Sequence, residues 1–454
     1  MIQKDIFSFL CNRKLLRNVP ITQRLRDSGS LKRTCPLCSV ERSLQKKGCG
    51  RVDRKKKYRR LLLWFLCLDL LAVVWFGYRY LERKIPDKLF VSEGKEEQVK
   101  NVLDFPFLSF DDAITVSGDG SYLLKARILG VIPFKDVKIT PADSESVMVS
   151  GDTVGIYMET DGVLVIDTGE IVSQEGFTQD PAKNIVKPGD YIVAFNDQTV
   201  HSKKELIKDL SKLDDSQVTL EVIRNGEKIP LSITPVKDVR GEYKLGIWVR
   251  DNTQGIGTLT FVDEKGNFGA LGHGISDVDT GELLHINEGA LYQAKIIGIQ
   301  KGSSGSPGEL SGMIHYDAQQ VIGSIDKNCD QGIFGTLNIL PKPLSLKKME
   351  VAYKQELETG PATVLCCIDG EVKEFDAEIT RIDMNHEDSN KSFVIQVTDQ
   401  ELLDMTGGIV QGMSGSPVIQ NGKFAGAITH VFVQDAAGGY GIFAETMIEN
   451  VEKE

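Results

Sequence analysis

The residues best suited to chemistry gather around one glycine-framed turn, Gly412-Met413-Ser414-Gly415-Ser416-Pro417. A serine hydroxyl titrates far above neutrality. It becomes a nucleophile only when a neighbouring base takes its proton and a third group orients that base. The layout suits acyl transfer: Ser414 on a tight bend projects its hydroxyl, and the glycines let the N–H groups of Gly412 and Ser414 point at a developing oxyanion. Of six histidines, His273 is the best base. It stands in Gly269-Ala270-Leu271-Gly272-His273-Gly274, at an expected strand end before a polar turn, and it precedes Ser414. His201 falls in a separate unit and His386 in a polar loop, while His285, His315 and His430 lack a glycine frame. Asp277, Asp279, Asp399 and Asp404 are candidate orienters, and spacing does not choose among them. Gly302-Ser303-Ser304-Gly305-Ser306-Pro307 repeats the nucleophile pattern and makes Ser304 a rival.

The elements that must position these groups read as strands. From 237 to 454 the pattern is short apolar runs between glycine turns, such as Gly257–Val262, Val321–Ile325, Thr363–Ile368 and Ala425–Val433. That pattern fits a double β-barrel with a closing helix at Glu445–Glu452. Ahead of it, 141–236 reads as a small α/β unit. Gly162–Ile166 is a buried strand, and Lys187-Pro188-Gly189-Asp190 is a turn leading into the strand Tyr191–Phe195. Ser202-Lys203-Lys204-Glu205 is a capping box opening a helix on which Leu206, Ile207 and Leu210 share a face. Asn225-Gly226 turns a hairpin between Val218–Arg224 and Ile229–Val236. Residues 107–140 read as a β-rich connecting segment, and 79–106, charged and without a clear period, as a stalk.

Leu61 to Tyr78 is an almost unbroken apolar run, long enough to span a bilayer, and it follows Arg54-Lys55-Lys56-Lys57 and Arg59-Arg60. The flanking charge places residues 1–60 in the cytoplasm and the remainder outside. Residues 1–60 hold 18 Lys/Arg against 4 Asp/Glu in a chain of net charge -11, so the body is strongly acidic, which argues against nucleic acid as a partner. Five of the eight cysteines lie before or inside the apolar run, leaving Cys329, Cys366 and Cys367 beyond it, which is no disulfide framework. Cys35-Pro-Leu-Cys38 makes a poor zinc site without nearby histidine, and neither a metal nor an organic cofactor is expected.

Two resemblances sharpen these readings. The order of elements in 141–236 resembles a PDZ domain, which implies peptide binding by strand addition, with Gly162, Val163, Leu164 and Val165 where that family's carboxylate-binding loop lies. The nucleophile turn has the G-x-S-G-x-P form of trypsin-like peptidases. Residues from about 126 to 445 closely resemble the stage IV sporulation protein B peptidases of endospore-forming bacteria. The matching runs are Gly130–Lys138, Gly255-Ile-Gly-Thr258, Gly269–His273, Gly407–Pro417, Thr429–Val433 and Gly439-Tyr-Gly441.

That resemblance implies a mainly β protein, with a chymotrypsin-like double-barrel peptidase domain behind a PDZ-like domain and a transmembrane helix. It implies His273 as base, Ser414 as nucleophile and Asp399 as orienter, with His430 and Ser304 outside the catalytic set. It further implies a membrane-anchored signalling peptidase between forespore and mother-cell membranes. Such an enzyme cleaves itself in the stalk and then a membrane-bound sporulation regulator, releasing pro-sigma-K processing. The alternatives are a general envelope quality-control peptidase and a non-enzymatic PDZ scaffold. Sixty residues before the anchor exceed the short basic tail the family implies. Translation is therefore expected to begin near Leu44 or Val52, unless these residues are a true cytoplasmic extension.

Overall fold

The computed structural model describes residues 41–91, 99, 103–110, 114–115, 120–142, 145–213, 217–338, 344–385 and 389–452. The basic segment before residue 41, with Cys35 and Cys38, and His386 lie outside the described residues.

Helix α1 spans Glu41–Lys84 and carries the whole apolar run. It is long and apolar enough to cross a membrane. Its side chains from Leu61 to Phe76 are almost all exposed, as a lipid-facing surface requires.

Among the described residues of 79–106, the stalk reading does not hold. After α1, Ile85 and Leu89 are fully buried, and strand β1 (Lys88–Val91) lies beside a hairpin of β2 (Tyr122–Ile128) and β3 (Ile132–Pro141). β1 pairs in parallel with the end of β3, from Lys88↔Lys138 to Val91↔Pro141. Val99 and Leu103 join Val137 and Ile139 in the same small core. The apolar residues are too sparse among charges to show a local period, and the partner strand is some fifty residues away in sequence.

A long strand, β4 (Thr153–Thr168), ties the rest of the molecule together. Its second half enters the α/β unit, where β4 is followed in the sheet by β5 (Tyr191–Phe195), β6 (Val218–Arg224) and β7 (Glu227–Ile233), with helix α2 (Lys203–Leu210) packed alongside. Ser202 caps α2 by accepting from the Glu205 amide, and Glu205 reaches back to the His201 amide. Asn225 and Gly226 both adopt positive φ, 52° and 79°, as the tight hairpin demands. Leu206 and Leu210 are buried, but Ile207 is 59% exposed, at the rim of their face rather than in the core.

The first half of β4 belongs to a different body. It pairs with β8 (Ile247–Val262), which continues through β9 (Asn267–Ala270), β12 (Gly332–Leu337), β11 (Val321–Cys329) and β10 (Ile286–Gln300) back to β4, closing a ring of six strands. β8 runs back along the full length of β4, from Ile247↔Thr168 to Thr258↔Thr153. No boundary near residue 237 therefore separates two bodies in space, because both long strands serve each of them. The second lobe is contiguous: β13 (Gly360–Cys367), β14 (Val372–Ile382), β15 (Phe393–Val397), β16 (Pro417–Gln420), β17 (Lys423–Val431) and β18 (Gly438–Phe443) form a closed barrel. A short helix α3 (Gln400–Thr406) interrupts it, and α4 (Ala444–Glu452) ends the chain.

Candidate active site

Ser414 lies in the loop before β16. Gly412 and Gly415 have φ of 98° and 93°, and a Cβ on Gly415 would sit 2.3 Å from the Thr258 carbonyl oxygen. Only glycine fits there. The first lobe clasps this loop through β8. The Thr258 amide donates to Ser414 O at 3.0 Å and its hydroxyl to Gly412 O at 3.0 Å, while the Thr260 hydroxyl donates to Gly415 O at 2.8 Å. With the Gly412 and Ser414 carbonyls both turned onto Thr258, the peptide units on either side of the one that carries the Ser414 amide are held, and that amide is one of the two expected to meet an oxyanion. Sequence reasoning missed Thr258 and Thr260. The Gly255-Ile-Gly-Thr258 run was the available signal, but nothing local shows which loop it faces.

His273 follows β9 on two consecutive residues of positive φ, Leu271 at 68° and Gly272 at 70°, which swing the chain out of the strand. For Leu271 that conformation is strained. His273 Nδ1 lies 2.8 Å from Gly274 O. A carbonyl only accepts, so Nδ1 carries the proton and Nε2 keeps a free lone pair, the tautomer a base requires. Burial pushes the His273 pKa below its ordinary 6.5, and the Gly274 bond offsets this only in part. The imidazole is thus neutral at pH 7. The His430 ring lies against it, with centroids 4.8 Å apart at 35°. His273, His430, Ser414, Gly412 and Thr429 line one cleft of 490 Å³, with Ile409, Val410 and Val431 as apolar wall. At rest the Ser414 hydroxyl donates to Thr429 O at 2.9 Å.

The candidate orienters do not reach this pair. Asp399 is the N-cap of α3: its carboxylate accepts from the Leu402 amide at 3.0 Å and the Asp376 amide at 3.3 Å. The structure therefore does not bring Asp399 to His273, whose Nδ1 is held by Gly274 instead. Asp277 is fully buried and held by Arg250 and by the amides of Asp279 and Thr280. Those amides and Arg250 keep its pKa low although burial alone would raise it. Asp404 accepts from Gln400 on the exposed side of α3. The Ser304 hydroxyl donates to Gln434 O at 2.9 Å on the surface.

Gly162–Val165 do not form an open binding edge. Val163, Leu164 and Val165 are fully buried, and both edges of this stretch are paired, to β5 through Val163 and Leu164 and to β8 through Leu164 and Val165. Gly162 is required for a different reason: a Cβ there would meet Ile192 O at 2.7 Å.

A family model described as SpoIVB peptidase S55 matches residues 241–448, and a PDZ domain model matches residues 140–234. Among solved structures, the PDZ domain of an SdrC-like protein from Listeria innocua is 25% identical, covering 20% of this chain and 94% of that one, with a TM-score of 0.17. The PDZ domain of an SdrC-like protein from Listeria monocytogenes is 20% identical, covering 20% and 87%, with a TM-score of 0.17. The active form of the Rv3671c protease from M. tuberculosis is 16% identical, covering 44% and 76%, with a TM-score of 0.24.

Proposed function

Because this chain belongs to the SpoIVB peptidase S55 family, a family of serine peptidases, and carries a PDZ domain ahead of its peptidase domain, we propose that Ser414 and His273 are its reacting pair in a sporulation signalling peptidase. Ser414 Oγ attacks the scissile carbonyl while His273 Nε2 takes its proton. The amides of Gly412 and Ser414 receive the oxyanion, and His273 then returns the proton to the leaving amine. The observation carrying this reading is the nucleophile loop, clasped by Thr258 and Thr260 from the opposite lobe, in one cleft with a neutral histidine. The Gly274 carbonyl, rather than Asp399, fixes the tautomer of His273 in this reading.

The enzyme acts on protein, and the finer proposal is that it first cuts itself within residues 82–108 and then cuts a membrane-bound regulator so that pro-sigma-K processing is released. The apolar helix anchors it, with the catalytic part outside the cytoplasm between the two membranes of the sporangium. Self-cleavage in this segment has a structural condition. Ile85 and Leu89 are buried and β1 is paired with β3, so the edge must open locally before the chain can extend through an active site. Mass spectrometry of the expressed protein tests this: new N-termini within 82–108 are expected in the wild type and none in Ser414→Ala. An active enzyme that keeps this segment intact would refute the self-processing step.

A further inference from the structure

Beside the point where the apolar run of α1 ends, the surface carries an apolar hairpin tip. β2 and β3 are joined by a two-residue turn, Leu129-Gly130, closed by a bond from the Val131 amide to Ile128 O at 3.2 Å. Both turn residues have positive φ, 55° and 73°. The first position of such a turn ordinarily holds Asn, Asp or Gly. Here it holds a leucine that is 66% exposed, followed by Val131 at 74% and Ile132 at 56%. Phe107, also at positive φ and 75% exposed, lies beside them, because its carbonyl accepts from the Leu129 amide at 2.7 Å. These four side chains join none of the apolar cores among the described residues. Large apolar side chains grouped in the open mark a surface that something else covers.

The direction of the hairpin says what covers it. Tyr78, the last residue of the apolar run, packs its ring edge-on against Phe134 with centroids 5.1 Å apart. Further along both segments Lys135 donates to Ile85 O at 2.8 Å, and Lys88 to Val91 pair in parallel with Lys138 to Pro141. The chain leaving α1 and strand β3 therefore run the same way, away from the apolar run. Going back along β3 from Phe134 leads past the level of Tyr78 toward that run, and Val131 lies as much as about 10 Å beyond Phe134 at the rise of an extended chain. That is the depth at which interfacial segments bury an apolar face. Tyrosines such as Tyr78 gather at the membrane–water boundary. Arg83, Lys84 and Arg381 line one cavity with Tyr78 and Phe134, and their charge complements anionic headgroups.

We propose that the hairpin tip of Leu129, Val131 and Ile132, with Phe107, inserts into the bilayer that α1 crosses and forms a second membrane attachment, with Arg83, Lys84 and Arg381 at the headgroups of anionic phospholipids. The leucine at a positive-φ turn position then has a purpose: asparagine relieves the backbone there, but only an apolar side chain enters the acyl chains. Two attachments hold the peptidase at the bilayer, where a membrane-bound substrate is presented. This inference rests on the reading of α1 as a membrane anchor and is independent of which residue is the nucleophile.

The test is acyl-chain quenching of tryptophan in the full-length chain, reconstituted in vesicles of phosphatidylglycerol and phosphatidylcholine with brominated acyl chains. The chain has three tryptophans, Trp64, Trp75 and Trp248. With all three changed to Phe, and Ser414→Ala to keep the chain uncut, a single reporter is introduced by Val131→Trp or, separately, by Phe107→Trp, both at exposed positions. Each should lose most of its emission relative to vesicles without bromine. Phe177→Trp, at a position 65% exposed in the PDZ unit, should keep its emission. A chain retaining only Trp75 reports on the anchor. If Trp75 is quenched and either tip reporter is not, the tip inference is overturned while the anchor stands. If Trp75 escapes quenching, the anchor reading fails and the inference falls with it. Equal quenching of Phe177→Trp and the tip reporters also overturns it, because the body then lies on the bilayer without preference for the tip.

Discussion

Two turns in this protein share the pattern G-x-S-G-S-P, and they are neighbours. Gly308 and Glu309, just after the first turn, pair in parallel with Val410 and Gln411, just before the second. Their serines nevertheless meet different surroundings. Ser414 sits in a loop clasped by two threonines of the opposite lobe, in the cleft that also holds His273. Ser304 is exposed, and its turn is braced from behind: Gly302 N bonds to Thr406 O, Gly305 N to Val433 O, and the hydroxyl itself to Gln434 O. The backbone pattern makes a tight serine turn in both places. In the proposed reading, what separates a nucleophile from a buttress is the wall across from it, and that wall comes from distant sequence.

The strongest way to break this comparison is to remove the wall or the hydroxyl. Ser414→Ala and His273→Ala should each lower turnover of a peptide substrate by about 10⁴-fold or more. The double change should cost little beyond either single one, because the pair acts as a unit. Thr258→Val keeps the shape of the clasp but deletes its bond to Gly412 O. It should lower kcat by about 10- to 100-fold with a smaller change in KM, as expected when donors aimed at a transition-state charge lose their alignment. Thr258→Ser, which restores the hydroxyl, should recover most of the loss. A Thr258→Val enzyme with normal kcat would leave the clasp without a role in orienting the loop.

The pH profile reports on His273 directly. The base works only when neutral, and burial lowers its pKa, so activity should stay on its plateau as pH falls through 6.5 and decline only below that value. A decline centred above 6.5 would mean that a carboxylate stabilises the imidazolium in the working enzyme. Asp399 separates the two possibilities from the other direction. Asn caps a helix as well as Asp, so Asp399→Asn should hold stability and keep turnover within a few-fold of wild type. Asp399→Ala should cost about 1 kcal/mol of stability through loss of the cap. A loss in Asp399→Asn comparable to that in His273→Ala would return Asp399 to the catalytic set. Ser304→Ala should have the smallest effect, within a few-fold.

Much of this was legible in the sequence because the signals were local. The Gly412–Pro417 turn, the Ser202 cap, the Asn225-Gly226 hairpin and the Leu61–Tyr78 run each depend on residues within one turn or one helix. What escaped depends on pairing between distant segments. The Ile85–Leu103 segment looked like a stalk because its few apolar residues are held by β3, far along the chain. The residues of 153–160 looked like part of the α/β unit, yet they close the first lobe, because β8 returns along the whole of β4. Asp399 matched a family position, but whether its carboxylate turns inward to a histidine or caps α3 is decided by tertiary packing.

The central claim, that Ser414 and not its twin is the nucleophile, is tested most directly by covalent labelling. A fluorophosphonate probe reacts only with a serine whose hydroxyl is activated by a base. Incubated with the full-length protein in detergent micelles and analysed by peptide mass spectrometry, it should mark Ser414 in the wild type and in Ser304→Ala. It should mark nothing in Ser414→Ala or His273→Ala. Labelling that survives Ser414→Ala and disappears in Ser304→Ala would contradict the assignment and make the exposed turn the active one.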